Sequence, residues 1–415
     1  MTASTGRRRI LVGVGGGIAA YKVCSVIRHF TEAGDDVHVV PTRSALNFVG
    51  AATFEALSGN PVRTEVFEDV DQVAHVKLGQ EADLVVIAPA TADLMARAAA
   101  GRADDLLTAS LLTARCPVLF VPAMHTEMWE HPATQANVAT LRSFGTTVMR
   151  PASGRLTGRD SGAGRLPDPQ EIALVGELLL DSPAALPYDL HGVRMLISAG
   201  GTREPLDPVR YLGNRSSGKQ GYALARVASQ RGAQVTVVAG ATSEPGDPAG
   251  VEIVRVARAT ELEHEMTKRA ADADVVIMSA AVADFRPVAV SGSKIKKGAK
   301  GPAPIELTTN PDILRSLVES RDNGHIPSSA VIVGFAAETG DETGGVLDHG
   351  RAKLRRKGCD LLVVNAVGDG KAFGTEDNTG WLLSSDGSET ALPLGSKSLM
   401  ASRILDEVRA LVSDD

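Results

Sequence analysis

The sequence predicts an α/β fold with two doubly wound, Rossmann-like domains, and three observations lead to it. The chain has 415 residues, too many for one ordinary core. Short apolar runs alternate with segments of helical periodicity along both halves. Residues 181–192, which carry two prolines and little periodicity, separate the halves. We therefore expect a first domain over residues 1–180, this linker, and a second domain over residues 193–415.

In the first half, RILVGVG is predicted to be a strand, and Ala19, Val23, Val26 and Phe30 then recur at helical spacing until Gly34 ends a helix. Three further runs, DVHVV, DLVVIAPA and PVLFVPA, are apolar throughout, which is typical of strands buried in a parallel sheet. Ligands of such sheets bind at the carboxyl ends of the strands. The segments of interest there are GGGIAAYK, PTRSA, APATADL and PAMHTEMW.

The second half repeats this pattern. VRMLISAG is a predicted strand, GKQGYALARVASQRG a helix, and further strands are expected at QVTVVAG, DVVIMSA, AVIVGF and DLLVVNA. The final helix is predicted to place Met400, Ile404, Val408 and Leu411 on one apolar stripe. Residues 286–310 are rich in Gly, Pro and Lys, and we expect a loop that orders over a ligand.

Composition excludes several classes of function. The net charge of −7 supplies no basic field that would bind nucleic acid or an anionic membrane. No apolar stretch approaches the ~20 residues of a membrane span. The three cysteines lie far apart without a CxxC pair, which predicts a cytoplasmic protein with neither a disulfide framework nor a structural zinc site.

The turn GVGGGIAAYK lies directly before a helix N-terminus, where N–H groups and the helix dipole favour a phosphate. A tight strand–helix turn explains the same glycines equally well. Thr42 and Ser44 add hydroxyl groups after the next strand, and the small residues of APATADL leave room for a flat ring. His75 and His125 lie near these segments, but a lone histidine is as often a surface or capping residue as a base.

In their order and spacing, GGGIAAYK, AHVKLG, APATADL and PAMHTEMW resemble the flavin-dependent cysteine decarboxylases that act on 4′-phosphopantothenoylcysteine, over residues 10 to about 180. The resemblance implies a flavodoxin-like flavoprotein domain in which FMN takes electrons from the cysteinyl thiol, CO2 leaves, and the electrons return. It implies His75 as the base and a substrate loop formed by Met124, His125, Met128 and Trp129. The implied FMN contacts are Gly15, Gly16, Gly17, Ile18, Thr42, Ser44, Pro89, Ala90, Thr91 and Ala92.

Two positions depart from that family. Its substrate loop usually has Asn where this chain has His125, and a cysteine that protonates the enethiol usually precedes the motif G-x-G-R. The corresponding segment GRLTGRDSGAGRLPD contains no cysteine, and Thr157 is the nearest counterpart. A threonine hydroxyl is a far weaker acid than a thiol. The sequence therefore leaves Thr157, His125, Asp160 and water as candidate proton donors.

The second half carries another phosphate-type turn, NRSSGKQG, at the start of a predicted helix. A lysine run is usually a solvated surface, but the spacing in KIKKGAK suggests a clamp that closes on a triphosphate, formed by Lys294, Lys296, Lys297 and Lys300. Lys353 and Lys357 share one helical face, and Asp284 follows a strand. With the turns TTNPDI and GFAAET, this set predicts a nucleoside triphosphate site.

The motifs SAGGTREPLDPVRYLGNRSSGKQG, SAAVADFRP, KIKK, NPDI and VGFAAET resemble phosphopantothenate–cysteine ligase over residues 190–412. The bacterial fused form of that family uses CTP to make an acyl-cytidylate of 4′-phosphopantothenate, from which the amine of cysteine displaces CMP. The resemblance implies that Arg210 and Asn214 handle phosphopantothenate and the acyl-cytidylate, and that Mg2+ bridges the triphosphate. The implied nucleotide and substrate contacts are Ala280, Asp284, Lys294, Asn310, Pro311, Asp312, Ile313, Phe335, Lys353 and Lys357.

The product of such a ligase is the substrate of such a decarboxylase, which gives the fusion a purpose. The resemblance also implies trimeric decarboxylase contacts and dimeric ligase contacts, which together close into a homo-oligomer such as a dodecamer. Two alternatives remain open for the first half. Flavin prenyltransferases and peptidyl-cysteine decarboxylases share the flavin turn but lack the fused ligase, and some relatives of this flavoprotein are regulatory subunits that inhibit phosphatases.

Overall fold

The structure, a computed structural model, describes residues 7–64, 74–155, 161–244, 246–296, 304–338, 345–366 and 377–412. The chain forms two compact units. The first extends to Tyr188 and includes Pro248–Gly250, and the second comprises Asp189–Asp247 and the chain from Val251 onward. The division between Tyr188 and Asp189 falls within the predicted linker.

The sheet of the first unit is parallel, as predicted. Among the described residues its strands are β1 (Arg9–Val14), β2 (Asp36–Pro41), β3 (Leu84–Ala90), β4 (Val118–Pro122) and β5 (Thr147–Val148). They lie in the order β2-β1-β3-β4-β5. Every residue of β3 is buried, as expected of an apolar strand covered on both faces.

Helices and one hairpin complete the described part of the first unit. The helices are α1 (Ala20–Glu32), α2 (Ala51–Ser58), α3 (Ala74–Glu81), α4 (Ala92–Ala99), α5 (Leu106–Thr113), α6 (Thr126–Glu130), α7 (Pro132–Ser143) and α8 (Pro169–Asp181). In α1, Val23, Val26 and Phe30 of the predicted stripe are buried, whereas Ala19 is half-buried and precedes the helix; the chain turns at Gly34 with a φ of 94°. The hairpin pairs β6 (Ala152–Arg155) with β7 (Ser161–Arg165), antiparallel.

The second unit has a larger sheet. Its strands and hairpins are β8 (Arg194–Ala199), β9 (Glu204–Pro205), β10 (Tyr211–Leu212), β11 (Gln234–Ala239), β12 (Val251–Arg255), β13 (Val275–Met278), β14 (Phe285–Pro287), β15 (Leu307–Thr309), β16 (Val331–Glu338), β17 (Leu361–Ala366), β18 (Asp377–Ser384) and β19 (Glu389–Ser396). The main sheet runs β12-β11-β8-β13-β16-β17-β18-β19. The helices are α9 (Lys219–Gln230), α10 (Ala259–Ala270), α11 (Ile313–Asp322), α12 (Val346–Lys357) and α13 (Lys397–Leu411).

The α/β fold class is confirmed in both units, with two additions and one correction in the second. Strands β18 and β19 extend the parallel sheet as an antiparallel hairpin that the sequence did not reveal. The ends of residues 286–310 pair as β14 and β15. On α13, Met400, Ile404 and Val408 are buried as predicted, but Leu411 is 41% exposed, so its place in the stripe was wrong. It is the last residue of the helix, where packing partners run out.

The strand order of each unit positions one crevice. The chain leaves β1 for β2 on one side and returns to β3 on the other, and it leaves β8 for β11 and returns to β13 in the same way. Adjacent loops diverge at such switch points and leave a crevice at the carboxyl ends of the strands. The glycine turns identified in the sequence follow β1 and β8, at these two places.

Candidate functional sites

The first unit contains a cavity of about 1010 Å³ at the carboxyl ends of β1, β3 and β4. Most residues that the sequence assigned to this site lie together in its wall. They are Gly16, Gly17, Ile18, Thr42, Ser44, Pro89, Thr91, Ala92, Met124, His125 and Met128. Separate stretches of sequence are thus brought to one crevice at the switch point of the sheet.

The three glycines after β1 have different roles. A Cβ atom at Gly15 would lie 2.2 Å from the carbonyl oxygen of Pro89, and one at Gly16 would lie 2.3 Å from Cβ of Ser44. Close packing of the loops therefore requires these two glycines. At Gly17 a Cβ would make only ordinary van der Waals contact, 3.8 Å from Cγ of Pro89, so packing does not require glycine there. Helix α1 begins three residues later, at Ala20, without a side-chain cap, and the dipole of the helix favours an anion at this end.

The hydroxyl groups near this turn also support the loops. Thr42 Oγ1 donates to the carbonyl oxygen of Val14 at 3.2 Å and accepts from the N–H of Ala45 at 3.3 Å. Thr91 caps α4 by accepting from the N–H of Leu94 at 3.2 Å. These contacts fix the shape of the cavity wall.

Three of the assigned residues lie behind that wall. Gly15 packs against the end of β3. Ala90 is fully buried, and Trp129 packs against the core of the first unit. None of the three lines the cavity as described. Their position supports the fold of the loops rather than direct contact with a ligand.

The substrate loop implied by the resemblance packs against the hairpin β6–β7. The N–H of Met124 donates to the carbonyl oxygen of Gly164 at 2.9 Å. A Cβ atom at Gly164 would lie 2.2 Å from the carbonyl oxygen of Met124, and one at Gly162 would lie 2.3 Å from Oγ1 of Thr126. The glycines of the G-x-G-R motif thus permit this close approach, which holds exposed His125 at the cavity. Thr157 and Asp160 lie outside the described residues.

His75 lies apart from the other assigned residues. It is in the first turn of α3 and is absent from the cavity wall formed by the described part of the chain. Its carbonyl oxygen accepts from Oγ1 of Thr113 on α5 at 2.9 Å. Its Nδ1 is buried and has no hydrogen-bond partner among the described residues. The fold therefore leaves an imidazole nitrogen unsatisfied at a place other than the cavity of the same chain.

No cysteine contributes to the cavity wall. The chain's three cysteines, Cys24, Cys116 and Cys359, are unpaired thiols located elsewhere. Burial raises the pKa of all three, to about 11 for Cys116 and Cys359. A thiol in this state is a poor nucleophile and a poor proton donor.

Sequence reasoning gave no role to four cationic residues in the cavity wall, Lys22, Arg97, Arg155 and Arg165. Arg97 is engaged by three carboxylates, those of Asp93 at 3.1 Å, Asp104 at 3.0 Å and Asp105 at 2.8 Å. Lys22 and Arg165 were visible in the motifs GGGIAAYK and G-x-G-R, which were interpreted only through their glycines and small residues.

The second unit has a smaller crevice of about 170 Å³ at the ends of β8, β13, β16 and β17. Residues 216–221, which contain the second glycine turn, line it together with Ala280 and Phe335. Gly218 precedes α9 with a φ of 77°, and a Cβ atom there would lie 2.5 Å from Oγ1 of Thr242. Both the left-handed backbone and the close neighbour require glycine at this position.

The same crevice is lined by Asn365, Asn378 and Lys397, which no sequence motif indicated. Lys397 is only 7% exposed although it carries a charge. Oδ1 of Asn365 is buried and has no partner among the described residues. Asn378 lies in β18, which extends the sheet, and Lys397 is the first residue of α13. The topology of the unit brings both residues to the crevice, so no local sequence pattern predicts their position there.

Arg210 is engaged within the protein. Its guanidinium group donates to Oδ2 of Asp207 through Nε at 3.0 Å and Nη2 at 2.5 Å, and Nη2 also donates to the carbonyl oxygen of Ile295 at 2.7 Å. Ile295 lies between Lys294 and Lys296, both of which are exposed. Arg210 thus contacts the lysine loop directly. Lys297 and Lys300 lie outside the described residues.

The two lysines of α12 are held by carboxylates. Lys353 Nζ lies 2.9 Å from Oε1 of Glu338, and Lys357 pairs with Asp312, the residue that caps α11. These pairs place both ammonium groups near the ends of β15 and β16. An incoming phosphate group would compete with these carboxylates for the lysines.

Two of the remaining assigned residues, Asn214 and Asn310, donate hydrogen bonds to the backbone of residues 282–284. Asn214 Nδ2 donates to the carbonyl oxygen of Val282 at 2.8 Å. Nδ2 of Asn310 donates to the carbonyl oxygen of Ala283 at 2.7 Å, and the backbone N–H of Asn310 donates to the carbonyl oxygen of Asp284 at 2.8 Å. Of the neighbouring residues, Asp284 is exposed, Pro311 is half-buried and Ile313 is buried.

The described residues contain no group of three or more His, Cys, Asp or Glu side chains that could hold a metal ion. No helix among them has the length and apolar character needed to cross a membrane.

Comparison with known proteins covers the whole length of the chain. Residues 2–175 match the family model described as Flavoprotein, and residues 190–411 match that described as DNA/pantothenate metabolism flavoprotein C-terminal domain. The chain is 66% identical to the coenzyme A biosynthesis bifunctional protein CoaBC of Mycolicibacterium smegmatis, over 98% of each chain. It is 40% identical to the protein of the same name from Vibrio vulnificus, again over 98% of each.

A solved structure described as the C-terminal domain of a coenzyme A biosynthesis bifunctional protein CoaBC is 36% identical and matches with a TM-score of 0.45. The match covers 55% of this chain and 100% of that one.

Proposed function

The chain belongs to the family of bifunctional coenzyme A biosynthesis proteins, and is therefore a phosphopantothenoylcysteine decarboxylase and a phosphopantothenate–cysteine ligase in one polypeptide; from this premise we propose the ligands and residue roles of each unit. The decarboxylase cofactor is FMN, bound in the cavity of the first unit. The ligase uses CTP with Mg2+ and passes through an acyl-cytidylate. The relatives match both halves, which argues against a flavin prenyltransferase, a peptidyl-cysteine decarboxylase or a purely regulatory subunit.

The cavity of the first unit fits a flavin phosphate. Gly16 and Gly17 line the cavity before the uncapped N-terminus of α1, where the helix dipole favours a phosphate. Ser44 and Thr42 lie beside this turn, while Pro89, Thr91 and Ala92 offer a wall of small residues. When bound, FMN supplies a reversible two-electron oxidation of the substrate thiol.

His75 is the proposed base that takes the thiol proton. Its unsatisfied buried Nδ1 and its absence from its own chain's cavity support a role at the cavity of a neighbouring subunit. His125 is the proposed proton donor to the carbon that loses CO2, because it is exposed at the cavity beside the hairpin. An imidazolium is a much stronger acid than a threonine hydroxyl.

In the second unit, the proposed triphosphate lies among Lys294, Lys353 and Lys357. Charges aimed at the leaving pyrophosphate stabilise the transition state in which the substrate carboxylate attacks the α-phosphorus of CTP. The described residues offer no carboxylate cluster for a resident metal, so Mg2+ is proposed to arrive with the nucleotide and to keep several water ligands. The glycine turn before α9 and Lys397 are proposed to contact the phosphopantothenate substrate.

The proposed assembly is a dodecamer that combines trimeric contacts of the first unit with dimeric contacts of the second. Exposed apolar side chains on the short hairpins of the second unit support a protein–protein contact there, among them Tyr211, Phe285, Val288 and Leu307. Light scattering that gave a monomer at micromolar concentration would contradict this proposal.

The unpaired thiols support a reducing compartment, and we propose that the protein is cytoplasmic.

One observation carries the proposal: each unit has a crevice at the carboxyl ends of its parallel strands, beside a glycine turn, and the crevice of the first unit is lined by most of the residues assigned to FMN and the substrate loop. A direct test supplies the purified protein with 4′-phosphopantothenate, cysteine, CTP and Mg2+ and follows the products by mass spectrometry. We expect 4′-phosphopantetheine, CMP and pyrophosphate. Equal turnover with ATP in place of CTP would contradict the nucleotide assignment, and a protein that cannot be loaded with FMN would contradict the cofactor assignment.

A further inference from the structure

The glycine turn of the second unit is held from behind by the loop that follows β11. The carbonyl oxygen of Ser217 accepts from Oγ1 of Thr242 at 2.9 Å, and from the N–H and Oγ of Ser243 at 3.0 and 3.2 Å. Ser217 and Gly218 line the crevice, whereas Thr242 and Ser243 lie outside the wall that the described residues form. Three donors outside the wall thus bind one carbonyl group within it.

The same donors fix the direction of the next N–H group. In a trans peptide the C=O and the N–H point in opposite directions, so a Ser217 carbonyl turned towards the loop directs the N–H of Gly218 away from the loop. That N–H donates to Oγ of Ser216 at 3.3 Å, and Ser216 also lines the crevice. The N–H of Gly218 is therefore on the crevice side of the turn, where an anionic ligand can accept from it.

The glycine at position 218 makes this support necessary. Its φ of 77° and the closeness of Thr242 both require glycine there. Glycine populates positive and negative φ about equally, so the residue itself does not stop the Ser217–Gly218 peptide from turning over. A reversed peptide would present a carbonyl oxygen to an anionic ligand, which that oxygen repels. The hydrogen bonds from Thr242 and Ser243 oppose the reversal.

The hydroxyl group of Thr242 is itself oriented. It accepts from the N–H of Glu244 at 3.0 Å, so its own proton is directed to the carbonyl oxygen of Ser217. The carboxylate of Glu244 lies 3.7 Å from Nη2 of Arg226, and both side chains are largely buried. Because Arg226 belongs to α9, the loop is held to the same helix that the glycine turn precedes.

We propose that Thr242 is a positioning residue of the ligase, which holds the N–H of Gly218 towards the anionic reactant in the crevice. Ser243 is the second support, through its hydroxyl group and through a backbone N–H that no substitution removes. This inference rests on the proposed function, which assigns phosphopantothenate to the glycine turn. Since both residues lie outside the crevice wall, their loss weakens binding of that reactant and leaves the groups that carry out the chemical step in place.

The test measures pyrophosphate release by the full-length protein while one of the three ligase substrates is varied and the other two saturate. Thr242→Val keeps the shape of the side chain and removes its hydroxyl group. We expect the KM for 4′-phosphopantothenate to rise about three- to tenfold, with kcat and the KM for CTP and for cysteine within about twofold of the wild type. Thr242→Ser retains a hydroxyl group and should restore the KM to within about twofold of the wild type.

Two further variants grade the effect and supply the control. Ser243→Ala removes the longest of the three hydrogen bonds and should raise the same KM less than Thr242→Val, while the double variant should raise it more than either. Thr236→Val is the matched control, because Thr236 is half-buried in β11, donates to Oε2 of Glu252 at 3.2 Å and lies outside the crevice wall as described. Decarboxylation of added substrate and the Tm report that the variants fold.

Three outcomes would overturn the positioning role. The first is an unchanged KM for both phosphate-bearing substrates in Thr242→Val. The second is a loss of kcat/KM that is equal for all three substrates and follows a fall in Tm, since a merely structural defect spares no reactant. The third is a Thr242→Ser variant as impaired as Thr242→Val, which would show that the hydroxyl group is not the cause.

The same measurements separate this inference from the proposed function. A rise in the KM for CTP in place of that for phosphopantothenate would support the positioning role of Thr242 and contradict the placement of phosphopantothenate at the turn. A wild-type protein that releases no pyrophosphate with the three substrates would contradict the proposed function itself, before any substitution is made.

Discussion

Asp207 Oδ2 accepts a hydrogen bond from the N–H of Ile295 at 3.1 Å, although 88 residues separate the two along the chain. The carboxylate is buried, and Oδ1 accepts from the N–H groups of Val209 and Arg210, each at 2.8 Å. Arg210 binds the same carboxylate and also the carbonyl oxygen of Ile295. Asp207 and Arg210 thus bind the N–H and the carbonyl oxygen of the same residue in the lysine loop, next to Lys294.

Replacement of Asp207 by Asn should release this loop. The asparagine amide replaces one carboxylate oxygen by an NH2 group, which donates hydrogen bonds and cannot accept them. The hydrogen bonds that Asp207 accepts from the N–H of Ile295 and from the guanidinium group of Arg210 therefore weaken. We expect CTP-dependent pyrophosphate release to slow about 10–100-fold, with decarboxylation of added substrate unchanged. Asp386→Asn is the control, since Asp386 accepts from the N–H of Ser388 in an exposed turn away from the lysine loop. Equal behaviour of the two variants would contradict the role of Asp207.

The defect of Asp207→Asn should not depend on pH in the neutral range. Hydrogen bonding to Arg210 lowers the pKa of Asp207 below its ordinary value of 3.8. A lowered pKa stabilises the fold at pH above the ordinary value, and this contribution is lost as the pH falls towards the folded-state pKa. The ratio of wild-type to variant rates should therefore be flat from pH ~6 to ~8, and a ratio that falls towards pH ~6 would show that the carboxylate titrates there.

His75 should serve the cavity of a neighbouring subunit. We expect His75→Asn and the cavity variant Gly16→Val, in which the added side chain would meet Ser44, each to lose decarboxylation. Co-expressed in equal amounts, they should recover about a quarter of the wild-type rate, since random mixing gives that share of sites one intact cavity and one intact His75. Ligase activity, retained in both variants, reports that the chains fold. Two affinity tags, one on each variant, confirm that the purified assemblies contain both chains. If these mixed assemblies recover no decarboxylation, His75 serves the cavity of its own chain.

Decarboxylation should depend on His125 rather than on a thiol. His125→Gln removes the only imidazole in the described cavity wall, and we expect kcat to fall about 10²-fold or more with substrate binding largely retained. Thr157→Val should have a small effect on kcat. The reverse order of the two effects would assign proton transfer to Thr157.

Alkylation provides the control for a thiol donor. Burial keeps the pKa of Cys24, Cys116 and Cys359 above the ordinary value, so the native thiols are protonated near neutral pH and react slowly. Iodoacetamide at pH ~7.5 should leave decarboxylase activity intact. Rapid inactivation in proportion to the labelling of one cysteine would contradict this.

Lys294 and Asn214 should act at different steps of the ligase. Lys294→Gln should prevent formation of the acyl-cytidylate, because it removes a charge directed at the triphosphate. Asn214→Asp should still form it but transfer it poorly to cysteine. The reactions are quenched without cysteine and the intermediate is sought by mass, with Lys268→Gln on the exposed face of α10 as control. Accumulation of the intermediate in Lys294→Gln, and not in Asn214→Asp, would reverse the two roles.

The structure changes the physical reason for the effect at Asn214. Its amide donates to the carbonyl oxygen of Val282, so an aspartate would set a carboxylate against that carbonyl oxygen. The effect is therefore not purely a matter of charge near the intermediate. Thermal unfolding of Asn214→Asp measures the structural part of the effect. Loss of the hydrogen bond to Val282 lowers the Tm of the protein, whereas a purely electrostatic effect on the ligand does not.

Local patterns determined much of this protein from sequence alone. Apolar runs predicted most strands of both parallel sheets, although not β5 or β12, and glycine turns before amphipathic helices marked the two crevices. Both signals are short in range, because burial and backbone conformation act on neighbouring residues. The same reasoning could not place β18 and β19, because their pairing with β17 depends on contacts with a distant strand.

Only the tertiary structure decided what each side chain does. It placed Ala90 and Trp129 behind the cavity wall and His75 away from it, and it paired the exposed Arg210 with the buried carboxylate of Asp207. It also brought Lys397 from the last helix to the glycine turn before α9. The sequence by itself determined which elements form and where their loops converge. Which atom of which residue faces the crevice was decided by packing between segments far apart in the chain, and no local pattern encodes that packing.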